Sequence, residues 1–469
     1  MTKTQTHLSL LILLLFSFFI SLILLLKPMQ TVELDAYSHV NNAVRLYKSG
    51  KVVNSYSTVW LPFVDSALTL PLYLHFNPHI IPRITILLFS LGSIIIIYHY
   101  TRALTNKNDA ALTAAIIFSL LPIRIFTSTI TLSEPIFTFF LLLSLFYFIK
   151  PKPQYIPGLI SLNIAHGMRY ESWFLLPLFW LIFLFSKKLN SLFKILSIIL
   201  SCLIPIGWLI HLYVKHGNAL LFFQIKYNLA QSKPNPAFNN WLLSFQEWFD
   251  QLISVLPPIL IGFFLISLYQ YIKSRHSLSK KTLSLLPLYL FLILIIQVYL
   301  GTMEWFPQRY LYTTITLSIP ILSYGLMLFY DFIFKKTGKK TAALISLISI
   351  VIITLSLSLG VKHSADRHFT PIKPDVIKII DYLKYKKINA FDYYQHPSQP
   401  THNNTAIQYF TQTSISLYPR NILTENSSLN SSNYSIIETR SRSEFTLNPL
   451  LPKPVYTNSS FIILPPSNQ

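Results

Sequence analysis

The sequence predicts an all-α polytopic membrane protein with a small α/β domain at its C-terminal end. Two observations carry that prediction. Of 469 residues, 52% are hydrophobic and only 12% charged, which is a membrane composition. The apolar residues also gather into long unbroken stretches up to residue 361, whereas 362–469 is mixed and rich in Asn, Ser and Pro.

Crossing a bilayer takes roughly 17–25 apolar residues, and by that measure the chain offers about eleven spans. They are 8–26, 79–100, 109–127, 132–149, 155–168, 171–186, 191–213, 253–272, 283–300, 310–333 and 341–361, the fifth and sixth short enough to be tilted or half-buried. The first, from Leu8 to Leu26, exceeds the ~7–15-residue core of a signal peptide and lacks a small-residue cleavage site after it. It is expected to be a retained anchor.

Charge orients the spans. With the N-terminus cytoplasmic, alternate gaps are short and basic: Arg102/Lys107, Lys150/Lys152, Lys187/Lys188/Lys194, Lys273/Arg275/Lys280/Lys281 and Lys335/Lys336/Lys339/Lys340. Short loops rich in Lys and Arg stay in the cytoplasm. The formal net charge of +21 is therefore largely a topology signal, with a secondary attraction to anionic lipid. Scattered over short loops instead of forming one patch, it excludes a nucleic-acid partner. The expected setting is a multi-pass protein of the cell membrane.

Residues 1–361 thus form the membrane domain and 362–469 an extracytoplasmic soluble tail. Two further outer pieces are 27–78 and 214–252. In the first, Tyr37, Val40, Val44 and Tyr47 recur at helical spacing with Asn41, Arg45 and Lys48 opposite, and Gly50 is placed to stop the helix. That pattern predicts a helix lying in the interface plane. In the second, Trp241, Phe245, Trp248 and Leu252 make another stripe suited to headgroup depth. The tail predicts a helix over 375–387 and strands at 388–393, 405–410, 434–438 and 460–464, with 421–435 a loop.

Several chemistries are excluded. The single Cys202 allows no internal disulfide and no cysteine metal site. Gly338-Lys339-Lys340-Thr341 lacks the upstream glycine of a phosphate-binding loop, and no Asp-x-Asp pair occurs. His39 and His166 stand alone, without ligand spacing, and are expected to be packed or solvated. No metal site is assigned, although a divalent cation held by Glu33, Asp35 or Glu134 stays open.

What remains is a set of charges at the outer ends of spans. Glu33 and Asp35 follow the first span and are the one pair of acids at i and i+2. A carboxylate on a partly dry surface gains proton affinity, which suits a general base. Ser133-Glu134-Pro135 opens the fourth span, and read locally it is a helix start with serine as cap. Arg169 and Glu171 lie between two short spans and are able simply to neutralise each other. Arg309, near Glu304, Trp305 and Tyr310, is either a snorkelling anchor or a phosphate grip. Arg83 and Arg124 are weaker candidates, with no acid nearby in sequence. Charges near lipid are costly, so several at one face propose a site.

Across residues 8–360 the chain resembles the GT-C integral-membrane glycosyltransferases, of the protein O-mannosyltransferase and aminoarabinose-transferase type. The resemblance is carried by Glu33-Leu34-Asp35-Ala36-Tyr37, Val59-Trp60-Leu61-Pro62, Leu132-Ser133-Glu134-Pro135, Arg169-Tyr170-Glu171-Ser172-Trp173 and Arg309-Tyr310-Leu311, in that order. It implies a hexosyl or pentosyl transferase that moves a sugar from a polyprenyl-phosphate carrier to a lipid, glycan or protein acceptor outside the cytoplasm, with inversion. It further implies Asp35 as base on the acceptor hydroxyl, Glu33 as its helper, and Arg309 and Arg169 at the leaving phosphate. Tyr37, Glu134, Glu171 and Glu304 are the other substrate-binding candidates. Several relatives carry adjacent Asp-Glu where this chain has Glu-x-Asp, which leaves open which acid is the base. A lipid-linked glycan ligase or polymerase is kept open by the 214–252 loop, and a non-catalytic transporter or scaffold by the shortness of each motif.

Overall fold

In a computed structural model the chain is described over residues 3–27, 29, 34–50, 60–186, 188–231, 237–256, 258–274, 276–300, 308–335, 374–388, 390–395, 403–411, 414–419, 433–438, 454–457 and 461–466. Glu33, Glu304 and the expected span 341–361 lie outside the described residues.

Helix α1 (Lys3–Leu25) is the first span. It packs on α4 (Ile81–Thr105), α5 (Asn108–Leu120) and α6 (Pro122–Thr127). Its other face, Leu8, Leu11, Ile12, Leu15, Phe16 and Phe19, is exposed, as a lipid-facing stripe must be. Arg83 in the first turn of α4 ties the two helices together. It donates to the carbonyls of Leu24 (3.2 Å), Lys27 (2.8 Å) and Thr129 (2.7 Å), which satisfies the open end of α1.

Helix α2 (Leu34–Ser49) ends at Gly50, whose φ of +63° and N–H bond to Leu46 O (2.9 Å) make the left-handed stop expected there. It does not lie open on the interface. Helix α3 (Phe63–Thr69) covers one flank and α19 (Asn403–Thr411) the other. As a result Asn41, read as opposite the apolar stripe, is buried, and so are Asn42, Tyr37, Val40 and Ala43.

The central packing joins α4 to α7 (Ser133–Ile149) and α7 to α8 (Tyr155–His166). Then follow α9 (Leu176–Leu184), α10 (Ser191–Ser201), α11 (Leu203–His216), α12 (Leu221–Gln231), α13 (Trp241–Val255), α14 (Pro258–Lys273), α15 (Leu278–Ser284) and α16 (Leu286–Tyr299), before the long α17 (Leu311–Lys335). Trp248, read as interfacial, is fully buried where α13 meets α16, its indole N–H on Leu294 O at 3.0 Å. Among the described residues three helices are long and apolar enough to cross a membrane, or up to six if each bent pair is one span. The expected eleven are not recovered by that measure. Proline and cap residues cut several apolar stretches into shorter helices, such as α8, α9 and the α10–α11 pair bent by 41°.

Gly167, just after α8, is placed by close packing. A Cβ there would run into the Phe63 ring, and the Phe63 N–H bonds to Gly167 O at 3.2 Å. The contact pins α3 against the loop that carries Arg169.

The C-terminal part builds a five-stranded sheet in the order β2-β1-β3-β5-β4. Its strands are β1 (Ala390–Gln395), β2 (Ser414–Pro419), β3 (Tyr434–Glu438), β4 (Tyr456–Thr457) and β5 (Phe461–Leu464). β1 runs parallel to β2 and β3, and β5 antiparallel to β3 and β4. With α18 (Pro374–Tyr385) it encloses a core of Val376, Ile379, Phe391, Ile436 and Ile463. The expected strand at 405–410 is instead inside α19. Ala406, Ile407, Tyr409 and Phe410 fall at i, i+1, i+3 and i+4, a helical stripe. Ile407 joins the sheet core while Ala406 and Tyr409 join the main helical core, so α19 fastens the sheet to α2. The expectation missed β2, whose Ile415 and Leu417 alternate with Ser414, Ser416 and Tyr418.

Candidate active site

Five charged side chains, drawn from four separate places in the sequence, form one chain of contacts. Asp35 stands in the first turn of α2, and Arg309 in a 3₁₀ turn (Gln308–Tyr310) that leads into α17. Arg309 Nη2 donates to Asp35 Oδ2. Arg309 Nε lies 3.8 Å from Glu134 Oε1, at the start of α7. Arg169 Nη1 donates to that same oxygen at 2.6 Å and to Ser133 Oγ at 2.9 Å. Its other edge grips Glu171 bidentately, Nη2 to Oε1 at 2.7 Å and Nε to Oε2 at 3.2 Å. Tyr310 supports both guanidiniums, at 4.7 Å from Arg169 and 5.3 Å from Arg309 to its ring centroid.

Ser133 therefore does not cap α7. The helix begins at Ser133 with Leu132 as the preceding residue, and the serine hydroxyl is taken by Arg169. Behind the loop, fully buried His166 bonds through Nδ1 to Ser172 Oγ (2.8 Å), and Ser172 donates to Arg169 O (2.6 Å). The Trp173 indole donates to His166 O at 2.9 Å. His166 is thus a brace for the arginine loop, in line with its reading as a packed histidine.

Three carboxylates against two guanidiniums leave this chain with one negative charge in excess. Lys226, half-buried on α12, also acts on it, through both Asp35 and Glu171. Nothing in the local sequence marked Lys226; it comes near through the fold of the 214–252 segment.

Burial sorts the five. Glu134 is 1% exposed, while the Asp35 side chain keeps 41% of its surface and is the member open to a ligand. Burial acts to raise the Asp35 pKa, but the charge and hydrogen bond of Arg309, with smaller contributions from Lys226 and His39, outweigh it. The carboxyl is held well below the usual carboxylate range. For Arg169, burial acts to lower the pKa, and the carboxylates of Glu171 and Glu134 more than offset it, so the guanidinium stays charged.

A narrow cleft opens beside this chain. Glu134, Arg169, Glu171 and Tyr310 line its polar end. Phe137, one turn further into α7, Thr313 and Thr314, one turn into α17, and Leu290, Ile293 and Leu294 of α16 continue it as an apolar wall. A Thr138–Thr313 hydroxyl contact of 2.8 Å joins α7 to α17 beside it. Tyr37 takes no part: it is fully buried, its hydroxyl on Met29 O at 3.2 Å and its ring against Tyr409 and Phe410 of α19.

Among the described residues no group of three His, Cys, Asp or Glu is arranged to hold a metal ion. Asp35 and Glu134 are each committed to an arginine, so the described donors do not fit a resident divalent cation.

The architecture is closely shared with solved proteins. ArnT from Cupriavidus metallidurans bound to undecaprenyl phosphate superposes with a TM-score of 0.70 at 11% identity, covering 99% of this chain and 98% of that one. The chain has the GT-C fold. ArnT in the apo state gives 0.67 at 10% identity over 97% of both chains. The oligosaccharyltransferase AglB from Archaeoglobus fulgidus, in complex with an inhibitory peptide and a dolichol-phosphate, gives 0.59 at 12% identity over 94% of this chain and 70% of that one. No family model matches the sequence, and no curated protein matches it significantly. In this GT-C framework the expected acid-bearing helix after the first span is α2, and Asp35 heads it.

Proposed function

We propose that this integral membrane protein transfers a sugar from a polyprenyl-phosphate carrier to an acceptor hydroxyl at the extracytoplasmic face, with inversion. One observation supports this above the rest. The exposed Asp35 carboxylate is joined through Arg309 to Glu134, and Glu134, Arg169 and Glu171 line a cleft whose walls turn apolar within one helical turn. A headgroup and a prenyl tail present that same sequence of chemistries. The likeness to ArnT bound to undecaprenyl phosphate and to AglB in complex with a dolichol-phosphate agrees with a lipid-linked donor.

In this reading the acceptor hydroxyl donates to Asp35. Arg309 holds Oδ2, and among the described residues Oδ1 has no such partner. The acceptor oxygen attacks the anomeric carbon from the side opposite the phosphate, and the polyprenyl phosphate leaves with the bond electrons, which inverts the centre. Arg309 and Lys226 are the cations placed to stabilise the charge that develops on the phosphate. Arg169 acts one step back, fixing Glu134 and Glu171 so that Arg309 is held in place. Holding the donor and acceptor in line supplies a further large share of the rate. The N-terminus is cytoplasmic and the sheet extracytoplasmic in this proposal, as the basic loops require.

The test is transfer from a panel of radiolabelled polyprenyl-phosphate sugars in membranes containing the full-length protein. A labelled product of inverted anomeric configuration, formed from at least one donor, is expected. Absence of transfer from every donor by intact protein would favour the transporter or scaffold reading, and retention of configuration would exclude the single-displacement step.

A further inference from the structure

Beside the charge chain lies a second polar cluster that the reaction above leaves unused. His39 is one turn beyond Asp35 on α2, a spacing that puts the two side chains on the same helix face with Cβ atoms ~5–6 Å apart. His39 Nδ1 meets Asp65 Oδ1, on α3, at 2.7 Å. Asn42 Nδ2 donates to the other oxygen, Asp65 Oδ2, at 2.9 Å. Both Asp65 oxygens are thus occupied, and its side chain is 4% exposed. The Trp60 ring packs on the imidazole at 4.7 Å between centroids. Thr69 Oγ1, bonded to Asp65 O (2.6 Å) and Ala43 O (3.2 Å), locks α3 to α2 around the pair. The Phe63–Gly167 contact then ties α3 to the arginine loop.

A buried carboxylate accepting from Nδ1–H fixes an imidazole in the tautomer whose Nε2 carries a lone pair. Such a ring is oriented and ready to accept a proton. Asp35 is the reverse case: it touches the acceptor, yet its Arg309 partner makes it a poor place for a proton to rest.

We propose that His39, oriented by Asp65, is the terminal proton acceptor of the transfer reaction, drawing the acceptor's proton through Asp35. The inference rests on the sugar-transfer reading. As the acceptor oxygen bonds to the anomeric carbon and the sugar–phosphate bond breaks, the hydroxyl proton passes to the Asp35 carboxylate and on to His39 Nε2. Asp35 is returned as carboxylate, His39 becomes imidazolium beside the Asp65 carboxylate, and it loses the proton to water after the product leaves. Among the described residues, the charged groups that bear on His39 are Asp65 from α3 and Asp35 from its own helix, with Arg309 and Lys226 acting through Asp35. His39 relays a proton without touching the donor, and Asp65 is a positioning residue.

The experiment uses full-length protein in membranes, with whichever polyprenyl-phosphate sugar the wild type accepts. His39→Ala is expected to lower kcat ~30–100-fold with KM little changed, and added imidazole to restore at least a tenth of the wild-type kcat. His39→Gln, which retains a donor toward Asp65, is expected to lose one limb of the wild-type pH–rate profile. Asp65→Asn is expected to fall ~10-fold or more while His39 remains. Size-exclusion behaviour of each variant establishes that it is folded. A folded His39→Ala within threefold of wild type would overturn the inference and leave the transferase reading intact. So would an inactive, folded His39→Ala with no imidazole rescue and an unchanged profile in His39→Gln, which would mark a structural pair. Wild-type protein inert with every donor would overturn both readings together.

Discussion

Four arginines with largely buried side chains divide into two kinds. Arg83 and Arg124 are 2% and 0% exposed, and they donate to neutral groups: three backbone carbonyls for Arg83, and Ser90 Oγ (3.0 Å) and Ser119 O (3.3 Å) for Arg124. Arg169 and Arg309 are bound by carboxylates, and Arg169 lines a cleft. The same residue type is a clip in one setting and part of the proposed site in the other. The difference lies in the partner. A guanidinium on carbonyls closes an open helix end, whereas one shared among carboxylates fixes anionic groups whose positions a reaction can use.

Removing each kind separates them. Arg169→Met leaves Glu134, 1% exposed, and Glu171 without their main cation, and stranding buried charge costs about 3–5 kcal/mol. Thermal unfolding in detergent should show that loss, and adding Glu134→Gln should recover part of it. Arg124→Met removes a buried charge with neutral partners and substitutes an apolar chain of similar reach. The expected change is about 1–2 kcal/mol in either direction, with transfer per folded molecule unchanged. A large loss of transfer in Arg124→Met would erase the distinction between the two kinds.

The pH dependence of stability sharpens the same contrast. Arg309 depresses the folded-state pKa of Asp35 below its unfolded value of about 3.9. A depressed carboxylate contributes stability that is present above the unfolded value and lost as pH falls through the folded one. The stability difference between wild type and Asp35→Asn should therefore stay constant from about pH 5 to 8 and shrink only in strong acid. Any change in transfer rate within that window then belongs to a group other than Asp35. Smallest of all is the pair at the opposite ends of the helices, Lys107 and Asp331, with side chains 38% and 51% exposed at 3.1 Å. Lys107→Met should alter stability by no more than about 0.5 kcal/mol, as exposed ion pairs do.

Much of the site was legible because hydrophobicity fixes depth. Asp35, Glu134, Arg169 and Arg309 each interrupt an apolar stretch at its outer end, so one face was the natural place for all four. Their pairing was not legible. Asp35 and Arg309 are separated by 274 residues, and neither neighbour in sequence names the other. Ser133-Glu134-Pro135 was locally complete as a helix start, which hid the role of the serine hydroxyl. Asp65 sits in Phe63-Val64-Asp65-Ser66 with nothing to mark it; its value comes from facing His39 across two helices. Helix breaks inside the apolar stretches were not legible for a related reason, since composition measures apolar length while proline and capping residues decide where the helices break. The strand placed at 405–410 failed because a short apolar run satisfies both periods until a neighbour, here α2, selects one.

The most direct test of the central claim is the transfer rate of Asp35→Asn against wild type, with a donor the wild type uses and with the variant's folding checked by gel filtration. Asparagine retains shape and a hydrogen-bonding oxygen but can neither take the acceptor's proton nor hold the charge of Arg309. A fall in kcat of at least ~100-fold is expected. Equal transfer by the two proteins would contradict the account, and would mean that the exposed carboxylate of the charge chain is a bystander to the chemistry.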